Sequence, residues 1–234
     1  MSTFPHPATL LARSLTALAI AACAVCAASE PPAIAWNAQT LVAGASSAGA
    51  TLTLQPEDSD WAAATAVSAT ALPFWTPAGA QFRLHLEPSI RKAGSNLDGI
   101  VTVALITTPV VQRVQASDNI IGVTIAFKQD KGQAYVGFVR KEKAGPEGMR
   151  GTQYGDPQSF AGEQKLTAPS GPIDLTLTLS ESAISLSIPG VGDISAPHGL
   201  TRAAWDKAYP AVQVLHFGPG RCSAAITKAG AGPK

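Results

Sequence analysis

Charge is scarce in this chain. Only 14% of its 234 residues are Asp, Glu, Lys or Arg, and the formal net charge is +1. A chain this close to neutral has no long-range field to draw in phosphate backbones or anionic lipid, which argues against nucleic acid as a partner. Cysteine is also rare, with Cys23, Cys26 and Cys222 as the full set, so a disulfide-stapled scaffold is excluded. The one long apolar run lies near the N-terminus and is too short to cross a bilayer as a permanent helix. There is no internal repeat and no glycine-rich loop of the kind that cradles phosphate, so no nucleotide cofactor is expected. What remains is a 46% hydrophobic composition, too apolar for a disordered chain and ample for one full core.

The N-terminus speaks to the compartment. "MSTFPHPATLLAR" carries one basic residue and no acid, "SLTALAIAACAVCAA" follows as a short apolar run, and "SEPP" begins a polar stretch. This order predicts a secretory signal over residues 1–28. Two exits compete. Val25-Cys26-Ala27 fits cleavage after small residues, whereas "IAAC", Ile20 to Cys23, resembles the lipobox of bacterial lipoproteins, with Ile20 where leucine is usual and Cys23 as the acylated residue. The expected location is therefore outside the cytoplasm: periplasmic, extracellular or lipid-anchored in the envelope. Membrane contact would come only through that anchor. Removing residues 1–28 takes Arg13 from the 17 basic residues, which leaves them level with the 16 acidic ones. Cleavage after Ala27 or Ala28 leaves Cys222 alone, in "GPGRCSAAI", where it reads as a small buried hydrophobe. With Cys23 lipidated, Cys26 is retained as well, and a Cys26–Cys222 pair stays open.

The rest of the chain, residues 29–228, reads as a single all-β domain. In "IDLTLTLSESAISLSIPGVG" Ile173, Leu175, Leu177 and Leu179 fall on one face of an extended chain, with Asp174, Thr176, Thr178 and Ser180 on the other. The alternation resumes at Ile184, Leu186 and Ile188, so Ser180 to Ser182 reads as a hairpin loop. Such a hairpin cannot offset its own ordering entropy and must be covered by another sheet. "QFRLHLEP" repeats the pattern, with Phe82, Leu84 and Leu86 inward and Pro88 ending the strand. "GIVTVALITTP" is apolar on both faces, as a central strand should be. "IIGVTIAFKQDKGQAYVGFVRK" reads as a second hairpin, in which Gly122 and Gly137 suggest bulges or close approach.

"ATLTLQ" and "WAAATAVSATALPFW" read as short strands beside a flexible "AGASSAGA". Residues 141–172 lack periodicity and read as a long rim loop. In "HGLTRAAWDKAYP", Thr201 is placed to cap a short helix over residues 202–208 that Pro210 stops. "AVQVLHF", the turn "GPG" and "RCSAAIT" read as a final hairpin, and residues 229–234 as a flexible tail. Many strands without a long helix predict an antiparallel two-sheet β-sandwich.

The order of these pieces over roughly residues 50–228 resembles the concanavalin A-like lectin and glucanase jelly roll, including its laminin-G-like members. The resemblance rests on "IGVTIAFKQDKGQAYVGFV", the long loop, "IDLTLTLSESAISLSIPGVG" and "HGLTRAAWDKAYPAVQVLHFGPGRCSAAI". It implies a ligand on the concave face or at the rim loops. The glucanases of that family carry E-x-D-x-x-E on one strand, and no such motif occurs here. A hydrolase would have to draw its two carboxylates from separate strands.

The best candidate ligand contact is the row Arg83, His85 and Glu87, three hydrogen-bonding groups on one strand face that could read sugar hydroxyls. The bland alternative for the row is a solvated face with an Arg/Glu pair. The hydroxyl face around Thr176 and Ser185 reads as solvated surface. His198 and His216 lack metal-ligand spacing, and "EDSD" at 57–60 is a polar turn rather than a calcium loop, so no metal is expected. The four tryptophans, Trp36, Trp61, Trp75 and Trp205, read as core before sugar-stacking platforms. The sequence therefore predicts an exported, non-catalytic module whose partner is a glycan or another envelope component.

Overall fold

The computed structural model describes residues 30–37, 41, 44–48, 50–73, 79–94, 98–109, 112–128, 132–143, 149–150, 152–153, 156–167, 171–190 and 192–233. The signal segment, Cys23, Cys26 and Trp75 lie outside them.

Two antiparallel sheets face each other. In chain order the first holds β1 (Ala45–Ala48), β2 (Thr51–Leu54), β5 (Ala80–Lys92), β12 (Ile173–Leu179), β13 (Ala183–Ile188), β14 (Gly192–Pro197) and β16 (Arg221–Pro233). Their spatial order is β1-β2-β16-β5-β12-β13-β14. The second holds β3 (Trp61–Val67), β4 (Leu72–Pro73), β6 (Gly99–Ile106), β7 (Ile120–Lys128), β8 (Gln133–Lys143), β9 (Met149–Arg150), β10 (Thr152–Gln153), β11 (Asp156–Thr167) and β15 (Lys207–Phe217). Its main path runs β10-β11-β8-β7-β6-β15-β3, with β4 beside β15 and β9 beside β8.

The alternation read from the sequence sets the core. Leu175, Leu177, Leu179, Ile184, Leu186, Phe82, Leu84 and Leu86 turn inward from the first sheet and meet Val101, Val103, Val123, Ile125, Val136 and Val214 of the second in one cluster. The β12–β13 hairpin has the expected loop, with Leu177 opposite Leu186. The strand β6 is buried on both faces, as its composition requires. Its outward Ala104 and Ile106 join Val67, Ile120, Ala211 and Val114 in a second, smaller cluster. The segment that brings Val114 there is tied down by Gln213, whose Oε1 accepts the Val114 N–H at 2.8 Å. Lys141 Nζ donates to the Gln115 carbonyl at 2.6 Å. Gly122 permits this packing: a Cβ there would sit 2.3 Å from the Val103 carbonyl oxygen and 2.7 Å from the Ala104 Cβ.

Several expectations need correction. Pro88 does not end β5, which continues to Lys92. Beyond the Leu86–Ile173 pair the strand has β16 on one side only, an open edge that tolerates a residue without an N–H. "AGASSAGA" is not loose, since Ala45 to Ala48 pair with β2. The long loop over 141–172 contains a twelve-residue strand, β11, paired with β8 with an irregularity between Ser159 and Glu163. The helix over 202–208 shrinks to a 3-10 turn, Arg202–Ala204, and Thr201 makes no side-chain cap. Glu142 takes that role from outside: its carboxylate accepts the Thr201 N–H at 2.6 Å and the Trp205 Nε1–H at 3.2 Å. Pro210 lies inside β15, where its carbonyl accepts the Ser68 N–H at 2.7 Å just past the end of the β3 ladder.

The final pair is not a hairpin. β15 belongs to one sheet and β16 to the other, so the "GPG" turn, with Gly218 at φ 68°, arches across the sandwich. The flexible tail is also overturned through Pro233. Residues 229–233 pair with Ala80 to Leu84 of β5 on one side. On the other they receive the N-terminal segment: Ile34 N–H donates to the Ala229 carbonyl at 3.0 Å, and Ala231 N–H to the Pro32 carbonyl at 2.9 Å. Glycine is what allows it. A Cβ on Gly230 would lie 2.8 Å from the Pro31 carbonyl oxygen.

Two histidines are locked neutral. His198 Nδ1 accepts the Leu200 N–H at 3.1 Å, so its Nε2–H donates to the Ser180 carbonyl at 3.1 Å. Burial is the main cause that holds His198 below the ordinary imidazole value, and the same holds for His216.

Two outcomes are expected. Leu177, fully buried, should cost ~2–5 kcal/mol in urea unfolding when changed to Ala, while Ser187→Ala on the outer face should stay within about 0.5 kcal/mol. Equal effects would refute the assigned faces. The histidines make the second. The unfolded chain takes up protons below about pH 6.5 that the fold refuses, so stability is complete above that value and falls as pH drops below it. The urea midpoint should therefore decline between pH 7.5 and 5.5, and His198→Gln should flatten that slope. A midpoint that rises on acidification would contradict it.

Candidate functional site

The strand β5 lies between β12 and β16, and register decides what its outward residues meet. His85 is opposite Asp174 on one side and Lys228 on the other. Arg83 is opposite Thr176 and Gly230. Because Phe82, Leu84 and Leu86 are committed to the core, Arg83, His85 and Glu87 must face out. The N-terminal segment then crosses at Gly230, where Ala33 forms a bridge, and raises a wall over this face. The space between holds about 320 Å³ and is lined by Glu30, Pro31, Arg83, His85, Asp174 and Lys228 among others.

Most of the charged groups here are already coupled. His85 Nδ1 lies 2.7 Å from Asp174 Oδ1, and its Nε2 lies 3.6 Å from Glu87 Oε1. Lys228 Nζ lies 2.6 Å from Glu30 Oε1 and ties the crossing segment to β16. That hydrogen bond is the main reason the Glu30 carboxyl sits below the usual range, with Lys228 charge and then Arg83 charge adding to it. Arg83 differs. Its Nε is buried without any hydrogen-bond partner among the described residues.

The sequence-predicted row is thus partly assembled. Arg83 and His85 line the cavity, whereas Glu87 stands outside its lining and contacts His85 rather than Arg83. Four contributors were not singled out as site residues: Glu30, Asp174, Thr176 and Lys228. Thr176 was read as solvated surface, but it is half-buried in the cavity wall. Asp174 carried one usable signal, as the only acid on its ribbon.

The remaining candidates are structural. Cys222 is buried and free, with its thiol pushed up to about 12 mainly by burial, as expected of a small hydrophobe. The acids of "EDSD" face a cation of the chain itself: Arg221 pairs with Asp58 and lies 3.5 Å from Asp60. Trp205 is fully buried, Trp36 packs against the core, and Trp61 is 65% exposed. Among the described residues no group of three or more His, Cys, Asp or Glu could hold a metal ion.

No protein-family model matches the sequence, and comparison with curated proteins finds no match. Solved structures do share its architecture. The chain is similar to a legume lectin-like domain from Entamoeba histolytica at 10% identity and a TM-score of 0.54, covering 82% of this chain and 87% of that one. It is similar to the carbohydrate recognition domain of Emp46p at 12% identity and a TM-score of 0.57, covering 85% and 88%. Lectin II from Ulex europaeus gives 12% and 0.55, covering 86% and 96%. Identities this low speak for the fold and leave the ligand open. The chain folds as a concanavalin A-like lectin jelly roll.

Proposed function

We propose that this chain is an exported, non-catalytic glycan-binding module, with its contact site in the cavity between the N-terminal segment, β5, β12 and β16. The cavity itself carries the reading. A sugar presents hydroxyls that both donate and accept, beside apolar C–H patches. The lining answers in kind. Arg83, Lys228 and His85 supply donors, Asp174 and Glu30 supply acceptors, and Pro31 is apolar. The lectins that share the fold support a carbohydrate ligand as a class. A hydrolase built from Glu87 and Asp174 has less support, because each of these carboxylates is held against the His85 imidazole between them.

The test is a glycan array run beside a hydrolysis screen on the same purified protein. Arg83→Ala and His85→Ala should each lose binding at least tenfold with little change in melting temperature. Turnover abolished by Glu87→Gln would replace this reading with the enzyme. Silence in both assays would leave contact with another envelope component.

Export rests on the segment before residue 29. The mature protein should have an intact mass corresponding to cleavage near residues 22–28, and a diacylglyceryl addition on Cys23 would identify the anchored form. A mass that retains residues 1–20 would rule export processing out.

A further inference from the structure

The cavity has an imbalance that a neutral sugar does not explain. Its lining contains two cation–anion contacts that are internally matched, Lys228 with Glu30 at 2.6 Å and His85 with Asp174 at 2.7 Å. Arg83 lies between them, and among the described residues it makes no hydrogen bond or salt bridge, while its Nε is withdrawn from water without a partner. Burying a guanidinium N–H with nothing to accept it is disfavoured, and the rest of the fold does not need this arginine as a strut.

Its neighbours explain how the position is kept open. Across the sheet Arg83 has the Thr176 hydroxyl on one side and Gly230 on the other. Glycine adds no side chain there, and the crossing segment closes in with the Pro31 carbonyl oxygen, which a Cβ on Gly230 would approach to 2.8 Å. The result is a planar fork of donors at the floor of a cavity, with matched pairs at both flanks. The flanking carboxylates do not oppose an incoming anion at full strength, because each has an oxygen engaged by Lys228 or His85.

We propose that the ligand carries an acid group, the carboxylate of a uronic-acid sugar, and that Arg83 docks it through two parallel N–H···O bonds. This rests on the glycan-binding reading and narrows it to acidic saccharides. A carboxylate matches the guanidinium fork in geometry and charge, and such paired bonds are among the stronger polar contacts proteins make. Lys228 has donor capacity beyond its contact with Glu30 and adds to the attraction.

The experiment uses calorimetric titration of the purified protein with trigalacturonate, its trimethyl ester and a sulfated neutral trisaccharide. Trigalacturonate should bind at least tenfold tighter than the ester in low salt, and the gap should narrow as salt is raised. Arg83→Gln should erase the gap while leaving the melting temperature unchanged, since Arg83 makes no internal bond to lose. Arg83→Lys should restore only part of it, because the charge returns without the fork. Equal binding of acid and ester would overturn the proposal and leave the glycan reading standing. Preference for the sulfated sugar would overturn the carboxylate assignment. An acid-over-ester gap that survives in Arg83→Gln would remove Arg83 from the role. Binding of none of the three, with a blank glycan array, would sink both readings together.

Discussion

The two-sided pairing of β5 is the constraint on which the rest depends. A strand flanked by β12 and β16 has no freedom to slip, because moving by one residue would carry Phe82, Leu84 and Leu86 to the outside. Once the core has fixed that register, the outer face is fixed with it. Asp174, His85 and Lys228 fall in one row, and Thr176, Arg83 and Gly230 in the next. No energy beyond that of the sandwich is needed to bring these side chains together. The wall supplied by the N-terminal segment depends on the same strand, since it seats on β16 at Gly230.

Much of the fold was legible because the strands that build the core alternate with period two. The β12–β13 hairpin, the β7–β8 hairpin and the double burial of β6 follow from aliphatic spacing alone. What was illegible has a common cause. β11 was read as loop because its residues show no apolar alternation, yet backbone pairing with β8 requires none. Residues 229–233 were read as a tail because Gly and Ala look like loop, although small size is what the crossing segment demands there. The "GPG" turn is ambiguous in principle: two alternating strands around a tight turn can pair in one sheet or arch between two. The helix over 202–208 failed because Glu142, sixty residues earlier in rough terms, outcompeted a local cap for the Thr201 N–H.

The site was half legible for a related reason. Arg83 and His85 could be found because they share one strand, so period two places them on one face. Their partners come from strands far away in sequence, and spacing gives no access to which strands become neighbours. The hydrogen bond between His85 and Asp174 joins residues 89 apart. The Lys228–Glu30 contact spans 198 residues. Glu87 was grouped with Arg83 and His85 correctly as to face and incorrectly as to cavity, because the wall covers the row only as far as His85.

Arg83 marks where this fold departs from its own rules. Elsewhere buried polar groups are matched: Glu142 by Thr201 and Trp205, Gln213 by Thr65 and Val114, Lys141 by the Gln115 carbonyl. These contacts hold covering segments against the sheets, so removing either partner would loosen structure. Arg83 has no such counterpart, and its side chain covers no part of the core. A fold consistent at every other level tolerates such a mismatch where something outside the chain completes it. The same separation of faces explains how it persists. The core reads the inward residues of β5, the cavity reads the outward ones, and a change at Arg83 leaves the packing of Phe82 and Leu84 as it was.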